Sequence, residues 1–174
     1  EAYFHVRIFS DSLQAVCDSL FYSAEDSVFR LFRQPIVWAR SNQVTGDTIY
    51  LYTENNKPKR AYVFENALSV EQVGKPYFNQ VKGRTINGFF TDGNIDYLRA
   101  KGNAESVYYA QDEVGKFIGV NKSSADIIDM YFDKKKPERV VFRSSLTGTM
   151  HPMRQVNHED LRLRGFKWLD ELRP

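Results

Sequence analysis

The chain has 174 residues, of which 42% are hydrophobic and 26% charged, and its net charge at pH 7 is +2. This length is sufficient for one domain with a buried core, and so small a charge gives no support for a nucleic-acid partner. The single cysteine, Cys17, excludes an internal disulfide, and the absence of any run of about 18 apolar residues excludes a membrane-spanning segment.

Short β-strands are predicted along most of the chain. Apolar and polar residues alternate with a period of two in the segments 47–52, 59–70, 106–110 and 138–146. Turn-forming residues separate the strands, at positions 45–47, 55–58, 92–94 and 134–137. About ten to twelve short strands at this spacing are typical of an all-β sandwich, roll or barrel.

Only the C-terminal end has a helical signature. In the segment NHEDLRLRGFKWLDELRP, Asn157 is a suitable N-cap and acidic residues follow it in the first turn. We therefore predict a short helical cap, residues 155–174, over one end of the sheet. The whole chain, 1–174, is then expected to form a single domain.

A strand motif occurs three times. The isoleucines of GDTIYLY, GRTINGFF and ADIIDMYF, which are Ile49, Ile86 and Ile128, lie 37 and 42 residues apart. A second segment, NALSV at 66–70, recurs as NAESV at 103–107 with the same offset of 37. A period near 40 residues indicates stacked β rungs that bury their apolar faces on one another. Since the copies are few and unequal, they favour an open roll or folded-over sheet over a closed propeller.

The repeat defines one apolar face. This face has two interpretations from the residues alone: a closed core without a ligand, or the lining of an apolar groove. The residues predicted to form it are Leu20, Ile49, Leu51, Val63, Ile86, Leu98, Ile128, Met130 and Val141.

Reactive residues do not cluster in the sequence. His5, His151 and His158 are scattered, and Cys17 has no histidine close in sequence, so we predict neither a metal site nor a catalytic nucleophile. The aspartates lie in turns or at strand starts, where aspartate is common for structural reasons, so they do not indicate a catalytic pair. We therefore predict a protein that is not an enzyme and that has no cofactor.

Two hairpins carry clusters of basic residues. Stacked rungs would bring these clusters to the same side of the molecule, where they would either contact phosphate groups of a lipid headgroup or keep the hairpin tips soluble. The residues are Lys57, Lys59, Arg60, Lys134, Lys135, Lys136 and Arg139.

The sequence is similar to the OstA-like proteins, the family of the periplasmic lipopolysaccharide-transport protein LptA. The resemblance is carried by the Asp-Ser-Leu strand at 18–20, the Pro-x-x-Trp segment from Pro35 to Trp38, and Gly-Asp-x-Ile from Gly46 to Ile49, and it extends more loosely over nearly the whole chain. The closing GFKWLDELRP resembles the tail of versions found in Bacteroidetes-type bacteria.

This resemblance implies a repeated-rung β-jellyroll, folded like a taco shell, that carries acyl chains of lipopolysaccharide or lipid A in a hydrophobic groove. It implies a periplasmic role in outer-membrane biogenesis of a Gram-negative bacterium, with an export signal removed before Glu1. It also implies that protomers join one another, or other OstA-like and Lpt proteins, through edge strands. The alternative is a closed-core structural β module that binds a protein or a carbohydrate, the latter through a row of Tyr50, Tyr52, Tyr62 and Tyr131.

Overall fold

The computed structural model describes residues 1–174 and is built almost entirely from β-strands. Twelve strands belong to one sheet. They are β1 (Ala2–Phe9), β2 (Gln14–Ser23), β3 (Val28–Phe32), β4 (Ile36–Ala39), β5 (Asn42–Thr45), β6 (Thr48–Glu54), β7 (Lys57–Gly74), β8 (Tyr77–Thr91), β9 (Asn94–Gln111), β10 (Phe117–Asp133), β11 (Lys136–Arg143) and β12 (Thr147–His151). The all-β prediction is confirmed.

The sheet is folded over along a crease, which divides it into two walls. Strands β7 to β10 are 15 to 18 residues long and pass through both walls. Wall A contains residues 19–32, 48–64, 85–101 and 127–143. Wall B contains residues 14–17, 36–45, 67–83, 104–125 and 147–151.

The crease forms where residues with positive φ interrupt the long strands. In β7 they are Glu65 and Asn66, with φ of 53° and 51°, and in β9 they are Gly102 and Asn103, with φ of 88° and 47°. The strand register shifts at the crease between each neighbouring pair of these long strands. The inward-facing parity is kept across the crease in β7, from Val63 to Ser69, and in β9, whereas it is reversed in β8, from Ile86 to Val81, and in β10. Asparagine tolerates this left-handed conformation better than most residues. The repeated Asn-Ala of the sequence motif therefore encodes the fold line of the sheet.

Apolar side chains fill the inner angle of the crease. Ala67 and Ala104, which follow the two asparagines, are fully buried there. Ile49 and Ile128 pack in the same cluster and are 1% and 0% exposed. Burying a side chain of this size contributes about 1.5–3 kcal/mol. The crease is thus the hydrophobic core that keeps the two walls together.

The C-terminal segment does not form the predicted helical cap. Residues 155–174, here called the C-terminal strap, contain turns and one 3₁₀ turn at Asp170–Leu172. Its apolar residues Leu161 and Leu163 are buried against Val107, Tyr109 and Val120. A spacing of two residues suits an extended chain on a flat surface and not a helix, and Gly165, with φ of 89°, interrupts any helical turn.

The strap covers the outer face of wall B, not an end of the sheet. It crosses the strands, and three buried glutamines bind it. Gln80 accepts a hydrogen bond from the Leu163 amide at 2.8 Å. Gln43 donates to the Lys167 carbonyl at 2.7 Å and accepts from the Leu169 amide at 2.8 Å. Gln14 accepts from the Arg173 guanidinium at 2.8 Å.

Both ends of the stacked strands are open. At one end β1 pairs only with β2, and at the other β11 and β12 pair only with β10. Each end strand therefore presents one unpaired edge. The chain contains no helix that is long and apolar enough to cross a membrane.

Candidate functional site

A groove of about 760 Å³ opens between the two walls, above the packed crease. Wall A lines it with apolar side chains only, up to the hairpin turns at its lip. Four of the residues predicted from the repeat lie on this lining: Val63, Ile86, Leu98 and Met130. All four are buried and belong to the core cluster of the crease, so they form the floor of the groove.

The other predicted residues lie outside this groove lining. Ile49, Leu51 and Ile128 belong to the packed crease, and Leu20 is partly buried against the same cluster. Val141 was placed on the wrong face. It pairs with Asp129, which points to the outside of wall A, because the inward residues of β11 are its neighbours Val140 and Phe142.

The sequence reasoning missed several residues near the lip of wall A. They are Phe90, Ile95, Phe132, Val140 and Phe142. Phe90 and Phe132 share the parity of the predicted residues of their strands and could have been found by extending the alternation. Ile95, Val140 and Phe142 do not, because register shifts separate them from the aligned positions. Gly88 also lines the groove, and a β-carbon added there would meet only Phe90 and Ile95 side-chain atoms at 3.7–3.9 Å. The space above Gly88 is therefore part of the groove.

Wall B differs from wall A because polar residues make up much of its lining. One row across the strands consists of Val44, Ser69, Val81, Ser106, Ser123 and Gly148. Nearer the lip, the groove is lined by Asn42, Glu71, Asn79, Tyr108 and Asn121. Burial raises the pKa of the Glu71 carboxyl, to which Asn79 donates a weak hydrogen bond of 3.4 Å. Hydroxyl and amide groups thus face hydrocarbon across the groove.

The tips of the two basic hairpins, β6–β7 and β10–β11, lie at the lip of wall A. Lys57 forms an ion pair with Asp92 at 3.2 Å, and Lys59 forms one with Glu54 at 3.0 Å. Lys134, Lys135 and Lys136 are exposed at the β10–β11 hairpin, and among the seven predicted basic residues Lys135 lines the groove. Arg60 and Arg139 instead lie on the outer face of wall A.

Aromatic and arginine side chains alternate on that outer face. The Arg60 guanidinium lies 5.1 Å from the Tyr52 ring centre and 5.3 Å from that of Tyr62. Arg139 lies 4.1 Å from the Tyr131 ring centre, and Tyr62 meets Phe64 edge to face at 90°. Cation–π contacts of this kind stabilise the surface. The tyrosines proposed for carbohydrate binding are consequently packed with arginines and do not form a flat row.

The remaining reactive residues have structural environments. Cys17 is buried in the crease, where burial raises the pKa of its thiol to about 11, so it is not an activated nucleophile. His158 contacts the Tyr109 hydroxyl and the Met153 carbonyl, both at 3.0 Å. No group of three or more His, Cys, Asp or Glu side chains could hold a metal ion.

These features define a folded-over, open-ended β-jellyroll with an amphipathic groove. No protein-family model matches the sequence, and no curated protein matches it. Among solved structures, the chain is similar to LptH of Pseudomonas aeruginosa, described as the LptA-homologous periplasmic component of the conserved lipopolysaccharide transport device. The TM-score is 0.62 at 16% sequence identity, over 80% of this chain and 95% of LptH.

The chain therefore has the LptA-like fold, as its sequence resemblance predicted. The TM-score of 0.62 demonstrates a shared fold, and at 16% sequence identity the similarity does not extend to the ligand.

Proposed function

We propose that this protein is a periplasmic carrier that binds the acyl chains of lipopolysaccharide in its groove and takes part in lipopolysaccharide transport. The protein performs no chemical reaction in this proposal. Its role is to shield hydrocarbon from water while the sugars and phosphates of the lipid remain solvated.

One observation supports this proposal above the others. The two walls diverge above the crease and leave an apolar surface on wall A along β7 to β11, where a closed-core module would have filled the space with side chains. Each methylene group buried there contributes about 0.8 kcal/mol. Burial of a few methylene groups from each of several acyl chains is therefore sufficient for stable binding. The similarity to LptH supports the same function for this fold.

The open ends support a further part of the proposal. The unpaired edges of β1 and of β11 and β12 would pair with another copy or with another protein of the same fold, so that the groove continues from one molecule to the next. The basic hairpins at the lip of wall A would then lie beside the lipid phosphates, with Lys135 nearest to the groove.

Gly88 allows a direct test of the groove. We expect Gly88→Phe to fold normally and to bind lipopolysaccharide about tenfold more weakly, because the ring takes the place of roughly two methylene groups of the ligand. Gly88→Ala is the matched control, since its methyl group makes only ordinary contacts. Binding is measured by displacement of a fluorescent lipid probe, and folding by thermal denaturation. An Ile86→Asp variant is less informative because Ile86 is 3% exposed and supports the core.

Two results would contradict the proposal. The first is that wild-type protein shows no saturable binding of lipopolysaccharide. The second is that folded Gly88→Phe binds as well as Gly88→Ala, which would place the lipid elsewhere on the molecule.

A further inference from the structure

The two walls of the groove differ in chemistry, because hydroxyl groups occur on wall B and none occurs in the facing row of wall A. On wall A the second row from the crease contains Ala61, Gly88, Leu98, Met130 and Val140. On wall B the corresponding row contains the hydroxyl groups of Ser69, Ser106 and Ser123, referred to here as the hydroxyl row. The amide side chains Asn79 and Asn121 follow two residues farther toward the lip, about 7 Å away along the strands.

Ser106 is the most informative member of the hydroxyl row. The residue is only 5% exposed and lines the groove, and its hydroxyl is not an enclosed atom without a partner but is open to the groove. Ser123 is equally buried, but its hydroxyl donates to the side-chain amide oxygen Oδ1 of Asn121 at 2.6 Å. A buried hydroxyl without a partner is destabilising, whereas one that meets a polar group of a ligand is not.

We propose that the hydroxyl row selects acyl chains that carry a hydroxyl group, with the hydrocarbon on wall A and the hydroxyl on wall B. This inference rests on the proposed function, because it concerns how the same groove recognises its ligand. An unsubstituted alkyl chain leaves Ser106 without a partner when it displaces water from wall B. A hydroxylated chain supplies both a donor and an acceptor at that depth. A site built in this way disfavours the analogue that lacks the polar group.

The preference is opposite to that of a purely apolar groove. A hydroxyl group makes an acyl chain more soluble in water and weakens its hydrophobic transfer into hydrocarbon. A groove that recognised only hydrocarbon would therefore bind the unsubstituted chain more tightly. Tighter binding of the hydroxylated chain requires hydrogen-bonding partners in the groove.

The test compares tetradecanoic acid with 3-hydroxytetradecanoic acid as competitors of a fluorescent fatty-acid probe on the full-length protein. We expect the hydroxylated chain to bind about three- to tenfold more tightly, the range of one neutral hydrogen bond. Ser106→Ala should reduce the difference to less than about twofold by weakening only the hydroxylated chain. Ser124→Ala is the control. Ser124 pairs with Glu105 on the opposite face of wall B and bonds Thr147 at 2.7 Å.

Three outcomes would overturn the inference. Equal or weaker binding of the hydroxylated chain by wild-type protein would leave a carrier without this selectivity. An equal effect of Ser106→Ala and Ser124→Ala, with both variants folded by thermal denaturation, would exclude recognition by the hydroxyl row. If the protein binds neither fatty acid, the inference is also overturned. The proposed function fails as well only if the protein does not bind lipopolysaccharide.

Discussion

Asp129 is a buried acidic residue that the sequence pattern did not predict. It lies in the middle of an apolar motif, yet its carboxylate is fully buried on the outer face of wall A. Arg99 donates to both of its oxygens at 2.7 and 2.9 Å, Arg143 donates at 2.8 Å, and the Tyr97 hydroxyl donates at 2.7 Å. These groups belong to β9, β10 and β11, so the cluster attaches the edge strand β11 to the sheet.

We predict that Asp129→Asn destabilises the fold by about 2 kcal/mol. Removing one partner of a fully buried ion pair lowers stability by about 3–5 kcal/mol. We expect a smaller loss here because the Arg99 and Arg143 side chains are 41% and 50% exposed to water. Urea denaturation measures the loss, and hydrogen exchange should locate it in β11. Asp126→Asn, at the neighbouring crease position, is the control.

The same cluster predicts a dependence of stability on pH. The Arg99 hydrogen bonds, followed by those of Arg143 and Tyr97, hold the pKa of Asp129 well below its usual range. Since the folded-state pKa is lower than the unfolded one, the stabilisation is complete above the unfolded pKa of about 3.9 and decreases as the pH falls through the folded value. The difference between wild type and Asp129→Asn should therefore shrink below about pH 4. A difference that is the same at pH 3 and pH 7 would exclude the ion pairs as its cause.

At the scale of the elements, the C-terminal strap depends on polar contacts as well as on apolar ones. Gln14, Trp38, Gln43, Val70, Gln80 and Val107 form one row across the outer face of wall B. Glutamine and apolar residues alternate in this row, so a polypeptide that crosses it finds a hydrogen-bonding amide on every second strand. Phe166 and Trp168 pack between them, against Leu68, Val70 and Phe78.

We predict that Gln43→Met destabilises the strap by about 2 kcal/mol, because the substitution leaves the Lys167 carbonyl and the Leu169 amide without partners. Trypsin should then cleave after Arg164 and Lys167 faster than in wild type, with little change elsewhere. Gln111→Met, at the exposed end of β9, is the matched control. Equal cleavage rates in both variants would mean that the apolar contacts alone hold the strap.

The strap also explains where sequence reasoning failed. The acidic residues after Asn157 resemble the first turn of a helix, but the outer face of wall B offers hydrogen bonds to an extended chain, and local propensity is a weak influence by comparison. No signal within the segment itself reveals partners that lie more than 80 residues away, as Gln80 and Gln43 do. Long-range pairing of this kind is visible only in the folded molecule.

The wall strands were more accessible to sequence reasoning. A period of two assigned Val63, Ile86, Leu98 and Met130 to the inner face because each lies in an uninterrupted half-strand. Val141 was misplaced because the β10–β11 hairpin contains a register shift after Tyr131, and a shift of one residue moves a side chain to the opposite face. The polar lining of wall B was missed because the alternation was not followed past the crease, where the inward parity is kept in β7 and β9 and reversed in β8 and β10.

At the scale of the whole molecule, the open ends are its least protected surfaces. Tyr3, Phe4 and Phe9 at the β1 end are 60%, 77% and 70% exposed, and Leu146 and Met150 at the other end are 57% and 59% exposed. Neither end has a covering helix, and the strap lies on wall B. The two ends are different surfaces, so pairing between them is heterologous and continues from one copy to the next without closing.

We therefore predict that the average mass of the protein increases with concentration through head-to-tail pairing. Lysines discourage edge pairing, so Phe9→Lys should block the β1 end and Met150→Lys the β12 end, and each variant alone should be monomeric. An equal mixture should form dimers and nothing larger, because only one free end of each kind remains. Native mass spectrometry distinguishes these species, and Val114→Lys, in the loop between β9 and β10, is the control. Dimers of Met150→Lys alone would instead indicate symmetric pairing of two β1 edges, and monomers of wild type at every concentration would mean that the ends bind other proteins.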